Sequence, residues 1–230
     1  MGINTAYTIF NKDSRYLSEV KDKSVDFVIT SPPFNISHKY KTYHDSLEYN
    51  EFDALYSTVI SSISRVLKDD GFFIVDIADI IVMENNIIYG AEFVKEKAQV
   101  SGLQYICSFP YIAIEGSDIK MNSCISRNDK DKKFHSSCEQ IIIFGKTSTP
   151  RKLAERFRIK STYVYSIEHD SAFWPKELIK DIIAPFSLKD EVLLDPFMGS
   201  GSLGRLTIEQ GGHFIGYDID KDTLINYKWL

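Results

Sequence analysis

The stretch Glu191–Gln210, EVLLDPFMGSGSLGRLTIEQ, decides the fold. Glu191–Leu194 reads as a buried strand, and Asp195-Pro196 stops it, because proline cannot continue a central ladder. Gly199 and Gly201 then let the backbone turn tightly and approach a ligand, and Leu203–Gln210 has the apolar spacing of a helix. A strand, a glycine turn and a helix in that order present free backbone N–H groups at the helix start, as nucleotide-binding turns do. The next strand, His213–Tyr217, closes on Asp218, about 20 residues after the turn, where a carboxylate accepts hydrogen bonds from ribose hydroxyls. The turn is not G-x-G-x-x-G, although Gly204 completes a spaced trio, and no Gly-Lys-Ser/Thr follows to make a phosphate loop. Taken alone it is weak evidence, since a purely structural strand-to-helix turn is the alternative. The acidic strand end tips the balance toward nucleoside binding, and Asp195 at a strand tip suits a cationic group.

Outward from this stretch, short apolar runs alternate with amphipathic ones, the pattern of a parallel sheet covered by helices. Strands are expected at Thr5–Phe10, Val25–Thr30 and Phe72–Ile77, and as a pair at Leu103–Ile114 and Gln140–Phe144. Helices are expected at Phe52–Leu67, ending at the turn signal Asp69-Asp70-Gly71, at Ala91–Val100, closed by Ser101-Gly102, at Pro175–Ile183, and from Asp220 onward. Between the paired strands lies the polar segment Glu115–Glu139, too long for a tight hairpin.

The second informative stretch is Ser31-Pro32-Pro33-Phe34, directly after VDFVIT. Two prolines stiffen the chain and carry carbonyls but no N–H. The tip therefore offers acceptors, the Ser31 hydroxyl oxygen and a proline carbonyl, suited to the two hydrogens of an amino group. Phe34 supplies an aromatic face for a flat base. The plainer alternative is a proline turn with Phe34 in the core.

The 230 residues suit one α/β domain, and no run of ~18 apolar residues predicts a membrane span. The opening MGINTAYTIF lacks the regions of a signal peptide. Cys107, Cys124 and Cys138 fit no zinc spacing, so a reduced cytoplasmic chain without metal is expected. A net charge of −5 argues weakly against nucleic acid, yet Lys146–Lys160 gathers Arg151, Lys152, Arg156 and Arg158 against one acid, Glu155. By itself such a run is usually a solvated face.

Together the two motifs resemble those of the amino-methylating DNA methyltransferases. That family carries a D/N/S-P-P-Y/F tip, here Ser31–Phe34, and a D-P-F-x-G-S-G loop, here Asp195–Gly201; the tip comes about 160 residues earlier, as in the circularly permuted β group. TIFNKDSRYL is similar to the family's opening strand, EHDSAFWPKELIKDII to the segment preceding its cofactor loop, and EQIIIFGK to the strand before its target-recognition region. Trp174 between Phe173 and Pro175 is a departure, leaving open which aromatic touches the cofactor.

The resemblance implies a Rossmann-like S-adenosylmethionine-dependent fold, permuted, with a mostly parallel seven-stranded sheet and one antiparallel strand. It implies a catalytic tip at Ser31, Pro32, Pro33 and Phe34. It implies cofactor contacts at Asp13, Phe173, Pro175, Asp195, Phe197, Gly199, Ser200, Gly201, Ser202, Asp218 and Ile219. Target recognition falls to 146–169, helped by 115–138, so DNA contacts are expected from Arg127, Lys132, Lys133, Arg151, Lys152, Arg156 and Arg158, with Lys39 and Lys41 after the tip.

The expected activity is direct transfer to the exocyclic N4 of cytosine in double-stranded DNA, with base flipping, because the family's tip begins with Ser mostly in N4-cytosine enzymes and Asp mostly in N6-adenine ones. N6-adenine methylation is the alternative, and a catalytically inactive nucleic-acid-binding module a remote one. An RNA or protein amino-methyltransferase usually carries its tip after the cofactor loop. Cytosine C5 chemistry needs a cysteine nucleophile, which in that family follows proline, and no cysteine here does. The resemblance also leaves room for a cognate restriction endonuclease in a prokaryotic restriction-modification system, and for a homodimer.

Overall fold

Every residue of VDFVIT, Val25–Thr30 (β2), is buried, which places this strand in the middle of a sheet with both faces covered. The structure is a computed structural model that describes residues 6–35, 40, 42–83, 86–115, 126–128, 133–135, 138–146, 163–167 and 176–221, with 113–115, 126–128, 133–135, 163–167 and 176 by backbone alone.

In chain order the strands are Tyr7–Phe10 (β1), β2, Leu67–Ala78 (β3), Ile80–Met83 (β4), Asn86–Tyr89 (β5), Gln104–Glu115 (β6), Ser126–Asn128 (β7), Lys133–His135 (β8), Cys138–Gly145 (β9), Tyr163–Ile167 (β10), Val192–Asp195 (β11) and His213–Tyr217 (β12). The helices are Tyr49–Val66 (α1), Gly90–Val100 (α2), Lys176–Ile183 (α3) and Ser202–Glu209 (α4). The main sheet runs β1-β12-β11-β2-β3-β9-β6-β10. Its first seven strands are the expected sheet: β1, β12, β11, β2 and β3 pair in parallel, and β9 alone runs antiparallel, to both β3 and β6. An eighth strand, β10, extends the edge parallel to β6.

The chain diverges between β11 and β2. From β11 it passes through α4 to β12 on one side, and from β2 through α1 to β3 on the other. Right-handed crossovers in opposite directions put their helices on opposite faces. Accordingly α1 and α2 bury Phe52, Tyr56, Ile63, Phe93 and Val94 in one apolar layer, while α3 and α4 bury Leu178, Ile182, Leu203 and Leu206 in the other. Six α1 side chains are buried, at roughly 1.5–3 kcal/mol each for a large apolar group. That stripe fixes which face α1 turns to the sheet. A reversal of this kind leaves a crevice at the carboxyl ends of the strands, the usual ligand position in open α/β sheets.

Three sequence expectations change. Asp69-Asp70-Gly71 is not a turn between helix and strand. Leu67 already pairs with Val25, the next pairing is Phe72 with Phe27, and Lys68–Gly71 bulge out within β3. The bulge lets Lys68 Nζ reach both carboxyl oxygens of buried Asp26, at 2.7 and 2.8 Å, while Asp26 also accepts from the Val192 N–H of β11 at 2.9 Å. Tertiary pairing thus overrides the local turn signal. Second, Ile80–Tyr89 forms the unexpected hairpin β4–β5. Third, the polar segment 115–139 contains the hairpin β7–β8, which joins β4 through Ile81 opposite His135 in a small sheet β5-β4-β8-β7. Among the described residues no helix is long and apolar enough to cross a membrane. The helix expected from Asp220 lies mostly outside the described residues.

Candidate active site

β2 and β11 lie side by side, with Leu193 opposite Phe27 and Leu194 opposite Val28, so the chain leaves both strands at the same sheet edge. The two motifs, far apart in sequence, therefore meet. Thr30 Oγ1 donates to Asp195 Oδ1 at 2.7 Å, a buried hydrogen bond joining the base of one loop to the base of the other. Pro32 and Phe197 line one small crevice beneath them, about 10 Å³, together with Thr30, Leu55, Tyr56 and Phe73.

In the first loop Ser31 is partly exposed, and its hydroxyl donates to Asp76 Oδ2 of β3 at 3.3 Å. The Pro33 carbonyl is not free: it accepts from Tyr56 Oη of α1 at 3.0 Å, which anchors the tip. Phe34 is half-buried against the core, so part of its ring remains outside. Asn35 follows with φ +60°, and its side chain clasps Leu47 through both amide atoms (2.9 Å to the carbonyl, 2.6 Å from the N–H). The tip is thus held from below and behind.

In the second loop Gly199 and Gly201 have φ of +47° and +72°, the left-handed region that favours glycine. Gly201 is the cap of α4, and the Ser200 and Ser202 hydroxyls lie 2.9 Å apart at its start. Gly204 is needed for packing: a Cβ there would sit 2.6 Å from the Phe214 ring. The Met198 N–H reaches the Tyr217 carbonyl at 3.0 Å, binding the loop to the end of β12.

The expected carboxylates surround this loop. Asp195 is 4% exposed, and its Oδ1 accepts from both Thr30 and the Phe197 N–H, the latter at 3.0 Å. Burial pushes its carboxyl up to about 7, against the lowering effect of those two hydrogen bonds. Asp218 is also raised, first by burial; backbone N–H groups of Asp220 and Gly199 hold it down in part. Ile219 beside it is 50% exposed. Asp13 lies beyond β1, which flanks β12, and Arg15 engages both its oxygens. Burial would raise the Asp13 carboxyl, but the Arg15 hydrogen bonds and charge win and hold it below the ordinary value.

Beyond the tip, Tyr40 and Tyr43 meet edge to face at 5.8 Å. Burial, then the charges of Asp45 and Asp218, push the Tyr40 hydroxyl up to about 12. Phe173, Pro175, Lys39, Lys41, Lys132, Arg151, Lys152, Arg156 and Arg158 lie outside the described residues, and Arg127 and Lys133 are described by backbone alone, in β7 and β8.

Sequence reading missed Thr30, Tyr56, Asp76 and Glu139. The signal for Asp76 was available: a lone carboxylate inside FFIVDIA, an otherwise apolar strand, where an acid is rarely buried without a partner. Its diagonal neighbour across the ladder is Glu139 of β9, which stands opposite Ala78. Burial, then the charge of Asp76 and a hydrogen bond with it, raise the Glu139 carboxyl well above the ordinary range.

A sequence model of the DNA methylase family matches residues 25–169 and 161–225. The chain is 24% identical over 272 residues to type II methyltransferase M.MjaI of Methanocaldococcus jannaschii, spanning 95% of this chain and 89% of that one. It is 23% identical over 252 residues to DNA adenine methyltransferase YhdJ of Escherichia coli, spanning 95% and 80%. In fold it is similar to the PvuII DNA methyltransferase (cytosine-N4-specific), with a TM-score of 0.69 at 18% identity over 95% of this chain and 86% of that one. A Thermus thermophilus putative DNA modification methylase complexed with S-adenosyl-L-methionine gives a TM-score of 0.69 at 17% identity over 97% and 92%.

Proposed function

The chain belongs to the DNA methylase family, and from that premise we propose that it transfers a methyl group from S-adenosylmethionine to the exocyclic N4 of cytosine in double-stranded DNA. The observation that carries this reading is the join between Ser31 and the Asp195–Gly201 loop at one sheet edge, through the Thr30–Asp195 hydrogen bond. An amine-grasping tip and a nucleoside-binding turn are then a single site.

The residues present fit S-adenosylmethionine. Gly199 and Gly201 hold a turn that a side chain would strain, α4 begins directly after it, and Asp218 stands at the end of β12 for the ribose hydroxyls. Ile219 offers a half-exposed apolar surface for the adenine, with Asp13 at the neighbouring strand end, and Asp195 suits the methionine ammonium. When bound, S-adenosylmethionine supplies a sulfonium methyl: the amine lone pair forms the N–C bond, the C–S pair stays on sulfur, and one N–H proton is released.

The chain contributes orientation and proton acceptance. A hydroxyl carries one hydrogen and two lone pairs. With its hydrogen directed at Asp76, Ser31 presents lone pairs to the substrate amino group. The released proton passes to Ser31 Oγ as the Ser31 proton passes to Asp76. A second acceptor is the Pro32 carbonyl, since that of Pro33 is engaged by Tyr56. Phe34 stacks on the base once it leaves the duplex. Holding the nitrogen in line, with an acceptor already oriented, is the main source of rate. DNA is held by the basic residues of segments 115–138 and 146–169, Arg127, Lys132, Lys133, Arg151, Lys152, Arg156 and Arg158, and by Lys39 and Lys41.

N6-adenine methylation is the second reading, favoured by the likeness to a DNA adenine methyltransferase over 95% of this chain. Incubating the protein with labelled S-adenosylmethionine and unmethylated bacterial DNA, then digesting to nucleosides for mass spectrometry, separates the two. N4-methylcytosine supports the proposal, N6-methyladenine replaces it with the second reading, and no label in DNA rejects both.

A further inference from the structure

The role of Ser31 leaves a half-buried acid beside Asp76, Glu139, without a part. On the antiparallel pair β3–β9, Asp76 stands opposite Ile141 and Ala78 opposite Glu139. Side chains alternate across a strand, so Asp76 and Glu139 share one face as diagonal neighbours, close enough for carboxyl groups to meet. Ser31 belongs to the same corner, its hydroxyl 3.3 Å from Asp76 Oδ2. Asp76 thus has both a serine hydroxyl and a second carboxyl group as neighbours.

Two carboxyl groups joined by a hydrogen bond need a proton between them, because two anions at that distance repel. The sharing decides which group holds it. Burial raises Glu139 first, and the charge of Asp76 and the hydrogen bond to it raise it further. Asp76 already accepts from the Ser31 hydroxyl, which favours its ionised form, so Glu139 is the acid that donates and Asp76 the carboxylate that accepts. The other titratable groups facing the pair are Asp79 just beyond β3, bonded to Gln140 Nε2 at 3.4 Å, Tyr111 of β6 opposite Glu139, and Tyr56 of α1, which feels the Asp76 charge. All are acidic or neutral, so none of them supplies a positive charge that would stabilise both carboxylates.

We propose that Glu139 is a positioning residue for methyl transfer: as a neutral acid it fixes Asp76 as an oriented, ionised acceptor, and Asp76 in turn fixes the Ser31 hydroxyl with its lone pairs toward the substrate amine. The inference rests on the reading of Ser31 given above. It explains why a second acid stands beside the tip, where an apolar residue would be the simpler filling for a sheet face. Ionisation of Glu139 breaks the arrangement: two carboxylates repel, Asp76 loses its fixed donor, and the serine rotor is released.

The test uses the full chain, S-adenosylmethionine and unmethylated bacterial DNA, with kcat followed from about pH 6 to about pH 9. Wild-type kcat falls as pH rises through the Glu139 ionisation. Glu139→Gln keeps an N–H donor but cannot ionise, so that alkaline fall is absent. Glu139→Leu removes the donor and lowers kcat about tenfold or more at every pH, while the Kd for S-adenosylmethionine shifts by less than about twofold. A readout independent of activity is the carbon-13 carboxyl titration of the protein without substrates: one carboxyl titrates above the usual Glu range and vanishes in Glu139→Gln. A pH profile of Glu139→Gln superposing on wild type, or no such raised carboxyl, overturns this inference and leaves the functional reading standing. Absence of transfer to DNA by the wild type overturns that reading and takes this inference with it.

Discussion

Thr30 Oγ1 and Asp195 Oδ1 lie 2.7 Å apart, although 165 residues separate them in the chain, and this bond joins the amine-binding tip to the cofactor loop. Thr30→Val keeps the shape and removes the donor. Loss of a buried hydrogen bond to a carboxyl group costs about 1–3 kcal/mol, and chemical denaturation should show that loss. The variant's kcat should also fall more than its stability accounts for, because the two halves of the site lose register.

Asp195 makes stability depend on pH in a definite sense. Its folded-state carboxyl is raised to about 7 from an ordinary 3.8. Between those values the folded protein holds a proton that the unfolded chain releases. Stability from this group is therefore greatest below the unfolded value and falls as pH rises toward 7, by on the order of a few kcal/mol. Asp195→Asn should flatten that part of the stability–pH curve measured without cofactor. An ammonium group beside Asp195 favours its ionised form, so wild-type affinity for S-adenosylmethionine should rise as pH rises through neutrality, and Asp195→Asn should lose that rise.

The glycine loop was legible in sequence, and the reason is geometric. Gly199 and Gly201 occupy positive φ, and Gly204 meets the Phe214 ring, all within the quoted stretch. The same holds for the tip, whose prolines stop β2 where the ladder does. What sequence could not supply was partnership across the sheet. Asp76 looks like an oddity in FFIVDIA until β2 and β9 are placed on either side of β3. Asp69-Asp70-Gly71 looks like a turn until β2 draws Leu67 into the sheet and the bulge carries Lys68 to Asp26. The hairpin β4–β5 escaped because its short apolar runs lack a glycine or proline turn signal. Local chemistry reads locally; register does not.

Gly204→Ala tests the packing of α4 on β12. The added methyl would lie 2.6 Å from the Phe214 ring, so helix and strand must part. Overpacking of this kind costs about 1–3 kcal/mol. Thermal unfolding should show the loss, and affinity for S-adenosylmethionine should weaken, since the helix start belongs to its loop.

DNA binding should be strongly dependent on salt. If Arg151, Lys152, Arg156 and Arg158 meet phosphates, the logarithm of affinity falls linearly with that of salt concentration. Replacing Arg156 by Gln should reduce that slope by about 1 while leaving the methylated sequence the same, measured by filter binding and by sequencing of the product.

Ser31→Ala tests the central claim, that the tip grasps the amine while a separate loop holds the cofactor. Single-turnover methyl transfer to DNA and the Kd for S-adenosylmethionine are measured on the same preparation. Transfer should slow about 100-fold or more, with cofactor affinity within about twofold of wild type. Parallel loss of both quantities, or transfer at the wild-type rate, would contradict that claim.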